Sequence, residues 1–153
     1  MKDDHIIEKR MTTRLVRYWE RLCQDSNIPD IGRFNSGAIQ DIWRHCIRLA
    51  IVNHGHEAGK KVYKYEYVGE AIKQAFGQDP TGITSTVSLH ADPGGEILLN
   101  LQECADAKKP VLKFGQFINK KNEIIKYRSC MLPFGSSNMV THIIVGLSWR
   151  ISH

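Results

Sequence analysis

Three long runs rich in strand-forming apolar residues follow one another near the end of the chain, at 111–119, 123–134 and 139–151, and the last alternates apolar with polar. In the last run Ile143, Val145, Leu147, Trp149 and Ile151 point one way, while His142, Ser148 and Arg150 point the other. Period-two alternation marks a strand with one buried face. Between the runs stand Asn-Lys-Lys-Asn at 119–122 and Gly-Ser-Ser-Asn at 135–138, short polar stretches of the kind that close hairpins. The chain therefore ends in an antiparallel meander. Earlier residues must cover one side of it, and Trp149 is expected on that inner side with Val145 and Leu147.

Residues 1–10 are polar and read as a flexible N-terminus. Thr12 or Thr13 can cap a helix running to about Cys23. Leu15, Tyr18, Trp19 and Leu22 share one face of it, and Arg10, Arg14, Arg17 and Arg21 the opposite one. A loop at 25–34 and a short helix at 36–43 follow, the latter with Ile39, Ile42 and Trp43 inward. Residues 46–52 and 61–68 read as a hairpin around the glycine-bearing turn 53–59, with Tyr63, Tyr65 and Tyr67 on one face. A short helix at 70–76 closes at Gly77. The stretch 84–89 fits no single element. A longer helix spans 95–107, with Ile97, Leu98, Leu101 and Ala105 as its inner stripe.

Two strands, a helical block and three strands predict an α+β domain, with five antiparallel strands and helices on one face. The expected organisation is a flexible 1–10, a helical extension at 11–44 and the sheet domain at 45–153. A chain of 153 residues fits one such domain. No run of about 18 apolar residues exists to span a membrane, and the charged start is not a secretory signal. A cytoplasmic location is the expectation. Cys23, Cys46, Cys104 and Cys130 are scattered with no CxxC pair, so buried, reduced thiols are expected. The net charge of +5 suits an acidic partner or nucleic acid without requiring either.

The order of elements resembles a PAS domain. The run Tyr65-Glu-Tyr-Val-Gly-Glu-Ala-Ile-Lys-Gln-Ala-Phe-Gly77, followed by Asp79-Pro-Thr-Gly82, is similar to a second PAS strand, a small helix ending in glycine and a glycine-bearing turn. Leu132-Pro133-Phe134, a polar turn and a hydrophobic last strand resemble the fourth and fifth PAS strands. The leading helix with Arg17-Tyr18-Trp19 resembles short, single-PAS proteobacterial proteins formerly catalogued as a domain of unknown function. The resemblance covers roughly residues 14–151. It implies two strands before the helical block and three after it, helices over one sheet face, and a role in ligand sensing or protein–protein signalling.

A PAS domain can hold a cavity between sheet and helices. Its candidate lining is Tyr65, Tyr67, Ile72, Phe76, Leu98, Leu101, Phe114, Tyr127 and Trp149. Such an apolar wall with a few polar tips suits a small ligand, and the same residues also suit a filled core. The cofactor is unknown. Residues 71–76 lack the cysteine of flavin photosensors, and His90 precedes the helix on which haem-binding members place their ligand. His54 and His56 lie two apart beside Glu57, read as a solvated turn and not as a metal site. No GxSxG, GxxxxGK[ST], HExxH or GxGxxG occurs, so no enzyme is expected.

The reading is a non-enzymatic cytoplasmic sensor or adaptor in bacterial signal transduction. It binds a small ligand, a signalling protein, or both. The apolar residues Leu15, Tyr18, Trp19 and Leu22, backed by Arg14, Arg17 and Arg21, are the candidate partner surface. They can bury themselves on their own sheet or in a homodimer, and the homodimer is the expectation. A nucleic-acid-binding regulator using the arginine helix ranks lower, because neither exposed aromatics nor a helix-turn-helix can be picked out. A small enzyme with an unrecognised site ranks last.

Overall fold

The computed structural model describes residues 2–57, 60–82, 84–86 and 100–152, with side chains over 11–52, 62–82 and 100–152. Helix α1 is Lys2–Cys23. Two 3-10 turns, Ile31–Arg33 and Ser36–Ile39, lead into the short α2, Gln40–Trp43. Strands β1 (Cys46–Glu57) and β2 (Lys60–Val68) precede α3 (Glu70–Phe76) and the short β3 (Thr84–Thr86). Then come α4 (Leu101–Ala107), β4 (Val111–Ile118), β5 (Ile124–Ser136) and β6 (Met139–Ser152).

The strands form one antiparallel sheet in the order β3-β2-β1-β6-β5-β4. Five long strands carry it, two before the helical block and three after, with the first and last side by side in the middle. This is the expected α+β arrangement, preceded by an N-terminal helix. The β5–β6 turn narrows to Ser137 and Asn138, both at positive φ (51° and 64°), as a two-residue hairpin turn requires.

Directly paired residues share a sheet face, so the register sorts the side chains. The inner face carries Ile47, Leu49, Tyr63, Tyr65, Phe117, Ile125, Tyr127, Met131, Ile143, Val145 and Leu147. Helices α3 and α4 cover it. Phe76 meets Phe117 edge-on at 5.6 Å, Asn119 Nδ2 donates to the Ala75 carbonyl at 2.8 Å, and Lys113 of β4 pairs with Glu103 of α4 at 2.8 Å. At Gly115 the strand leaves room for Tyr127, whose hydroxyl would lie 2.9 Å from an added Cβ.

Helix α1 packs on the outer face. Its landing point is the cross-strand row Cys46–Gly146–Cys130. A Cβ at Gly146 would stand 2.2 Å from the Leu15 side chain, so the missing side chain is what lets the helix approach. Trp19 Nε1 donates to the Pro133 carbonyl at 2.6 Å in a buried site. Around it Tyr18, Phe34, Trp43, Tyr67 and Phe134 form a linked aromatic group.

The structure moves several boundaries. Helix α1 begins at Lys2, not at Thr12 or Thr13, so the polar start is helical. Strand β1 continues to Glu57 and takes in most of the expected turn, including His54 and His56. A sixth strand, β3, pairs with β2 at the ambiguous 84–86. Ile97, Leu98 and His90 lie outside the described residues. The tyrosine run does not stay on one face. Arg48 pairs with Tyr67 but Leu49 pairs with Tyr65, so Glu66 is an extra residue in β2. This β-bulge turns Tyr67 to the outer face, where its ring stacks on Trp43 at 4.3 Å and 5°.

Candidate functional site

The inner layer is where the expected cavity lining gathers. Tyr65, Ile72, Phe76, Leu101 and Tyr127 are all buried. The sheet supplies the two tyrosines, α3 supplies Ile72 and Phe76, and α4 supplies Leu101. Two other expected members, Tyr67 and Phe114, do not join them, and a third, Trp149, packs at the margin opposite Tyr127. Tyr67 belongs to the outer aromatic group because of the bulge. Phe114 has the outer parity of β4 and is 85% exposed. Trp149 keeps the inner parity with Val145 and Leu147, but it is only half-buried and lies against the His45 ring at 5.3 Å.

One residue that the sequence reading passed over stands out. Tyr63 is completely buried in β2 on the inner face, and its hydroxyl has no hydrogen-bond partner among the described residues. Burial, with the nearby Cys104 and Asp106 of α4, pushes the Tyr63 phenol well above its ordinary range, so it stays protonated and presents a donor. Nothing in the alternating tyrosines marks this one as different. The signal lies in what surrounds it, which the sequence does not list.

The partner surface expected on α1 is divided by packing. Leu15, Tyr18 and Trp19 are buried and Leu22 is half-buried against the chain's own sheet. That corrects the expectation that this apolar stripe faces a second subunit. A single Gly146 in β6 gives the helix its seat, and helix and sheet close on each other. On the other side, both terminal guanidinium nitrogens of Arg14 donate to the Asp41 carboxylate of α2, holding that carboxyl below its usual range. Arg21 lies over the Tyr18 ring at 5.9 Å, and Arg17 is exposed. These arginines border an open groove of about 570 Å³ with Glu20, Ala38 and Ile39.

A charged cluster also lies on the outer face. Glu66 Oε1 accepts from Arg48 Nε at 2.9 Å and lies 3.4 Å from His142 Nε2, whose Nδ1 is 2.9 Å from the Thr141 hydroxyl. Burial is the main cause that lowers the His142 pKa, with Arg48 adding to it and Glu66 opposing. The four thiols are buried, and burial raises Cys130 to about 12, so it is held as the unreactive thiol. Among the described residues no group of His, Cys, Asp or Glu side chains could hold a metal ion, and no helix is long and apolar enough to cross a membrane.

A scan against protein-family models finds no match, and a search of curated proteins finds none. Among solved structures, the chain is similar to one described as "Structure of an RNA-binding Light-Oxygen-Voltage Receptor". The identity is 14%, the TM-score 0.48, and the match covers 78% of this chain and 34% of that one. The chain thus spans about a third of that receptor's length.

Proposed function

We propose that this domain is a non-enzymatic sensor. It holds a small, mainly apolar molecule between the inner sheet face and helices α3 and α4, with the Tyr63 hydroxyl as the polar contact. The carrying observation is that hydroxyl, wholly buried and unpartnered among the described residues. Leaving such a group unpaired costs about 1–3 kcal/mol. A molecule offering a carbonyl or ether oxygen recovers that cost, and its apolar body suits neighbours such as Ile72, Phe76 and Leu101. Occupancy is communicated outward through the sheet, which carries α1 on its opposite side. A binding surface, not a reaction, conveys the signal.

The test uses protein purified from its native host. A small molecule should be released on denaturation in near-stoichiometric amount and detected by mass spectrometry. Tyr63→Phe should lower its occupancy at least tenfold, while ligand-free Tyr63→Phe melts no earlier than ligand-free wild type. If the wild type carries nothing and Tyr63→Phe gains about 1–3 kcal/mol, the hydroxyl is simply stranded in a filled core. The domain is then a pure interaction module.

A further inference from the structure

The outer sheet face is covered only in part. Beyond the row where α1 lands, pairing across β4, β5 and β6 sets side chains in three rows: Phe114–Arg128–Ser148, Gln116–Lys126–Arg150 and Ile118–Ile124–Ser152. Phe114 is 85% exposed and Ile118 63%. Lys126 and Arg150 are exposed, and the three strands themselves carry no acidic residue. Lys126 and Arg150 stand directly opposite each other. Like charges in that relation destabilise a sheet, so this pair is a cost to the protein alone that an anion would relieve.

We infer that this open face binds single-stranded nucleic acid, with Phe114 stacking on a base and Lys126 and Arg150 holding phosphate. A ring lying open on a sheet beside cations is what an unstacked base needs, because every base has a face to stack and every link a charge. The amide of Gln116, in the cationic row next to the ring, can hydrogen-bond a base edge. Two alternatives fit less well. A second copy would bring the same cations against themselves. A duplex keeps its bases stacked and has no use for Phe114. Phe114 supplies the exposed aromatic that nucleic-acid recognition calls for. The inference rests on this face alone and is independent of the inner-layer ligand.

The test is a fluorescence-anisotropy titration of the full chain with a labelled 20-nucleotide oligouridine RNA. Releasing counterions from two phosphates predicts affinity falling about sevenfold between 50 and 200 mM salt. Phe114→Ala should weaken binding by roughly fivefold or more. Lys126→Gln should weaken it too, while the free protein melts no earlier than wild type because the like-charge pair is gone. A hairpin duplex of equal length should bind more weakly. No RNA binding, or binding that Phe114→Ala and Lys126→Gln leave unchanged, overturns the inference. So does a wild-type dimer in sedimentation that Phe114→Glu converts to monomer, since the face is then a contact between copies. Equal affinity for RNA and duplex overturns it as well, because the face would then read charge only.

Discussion

The outer face of the sheet has two halves, and they contrast sharply. Over β6 and the adjoining end of β5, α1 seals the surface with Leu15 fully buried and Trp19 hydrogen-bonded to the Pro133 carbonyl. Over β4 and the other end of β5, Phe114, Ile118 and Leu112 stand in the open. The residue types are alike, a large aromatic among aliphatics in each half. What differs is whether the sheet lets a helix descend. At Gly146 it does, and toward β4 no such gap meets a helix. Burial here is decided by what can come close, not by the apolar character of the strand.

Mutation should reproduce that contrast. Trp19→Ala removes a packed ring and leaves the Pro133 carbonyl unpartnered, so it should cost about 3–5 kcal/mol in a urea melt. A loss below about 1 kcal/mol would mean α1 is not part of the cooperative fold. The second check is pH, because a partly buried histidine lies on each sheet face, His142 on the outer one and His45 against Trp149 on the inner one. Burial lowers the pKa of both His45 and His142. The unfolded chain therefore binds protons more readily than the folded one as pH falls through about 6.5. Stability should be complete above that value and decline below it, toward the folded pKa values. Urea midpoints at pH 8, 7, 6 and 5.5 measure this, and the double variant His45→Gln/His142→Gln should flatten the decline. The smallest effect belongs to the open half. Phe114→Ala should change stability by no more than about 0.5 kcal/mol, against the loss at Trp19. A loss of several kcal/mol would show that something already covers Phe114.

The meander was legible because strand-forming runs and the two polar turns agreed, even though α1 buries the second face of β5 and β6 over their middles. Strand β4 shows where this fails. Its covered parity is Val111, Lys113, Gly115 and Phe117, and its open parity is Leu112, Phe114, Gln116 and Ile118. The open side is the more apolar, since Gly115 makes room for Tyr127 and Lys113 reaches Glu103. Counting apolar residues therefore put Phe114 in the cavity. The tyrosine run failed for another reason. One extra residue at the β2 bulge shifts the period, and no feature of Tyr65-Glu66-Tyr67 announces it. Helix α1 was read correctly as amphipathic. Its partner was not, because Gly146, which seats it, lies 131 positions after Leu15 and looks like any strand glycine. The unpaired Tyr63 hydroxyl is a property of packing and was beyond reach in the same way.

The ion pair between Lys113 and Glu103 has a consequence away from the core. Strand β4 is an edge strand, paired on one side only among the described residues, and Lys113 is its single charged residue. A bare edge is a template on which another chain can add a strand, and an inward-pointing charge spoils that template. Replacing Lys113 with valine would leave Val-Leu-Val-Phe-Gly-Gln-Phe-Ile, an uncharged segment of high strand propensity without proline, the kind that stacks into fibrils. The residue that ties α4 to the sheet is thus also the charge that works against edge-to-edge pairing at β4.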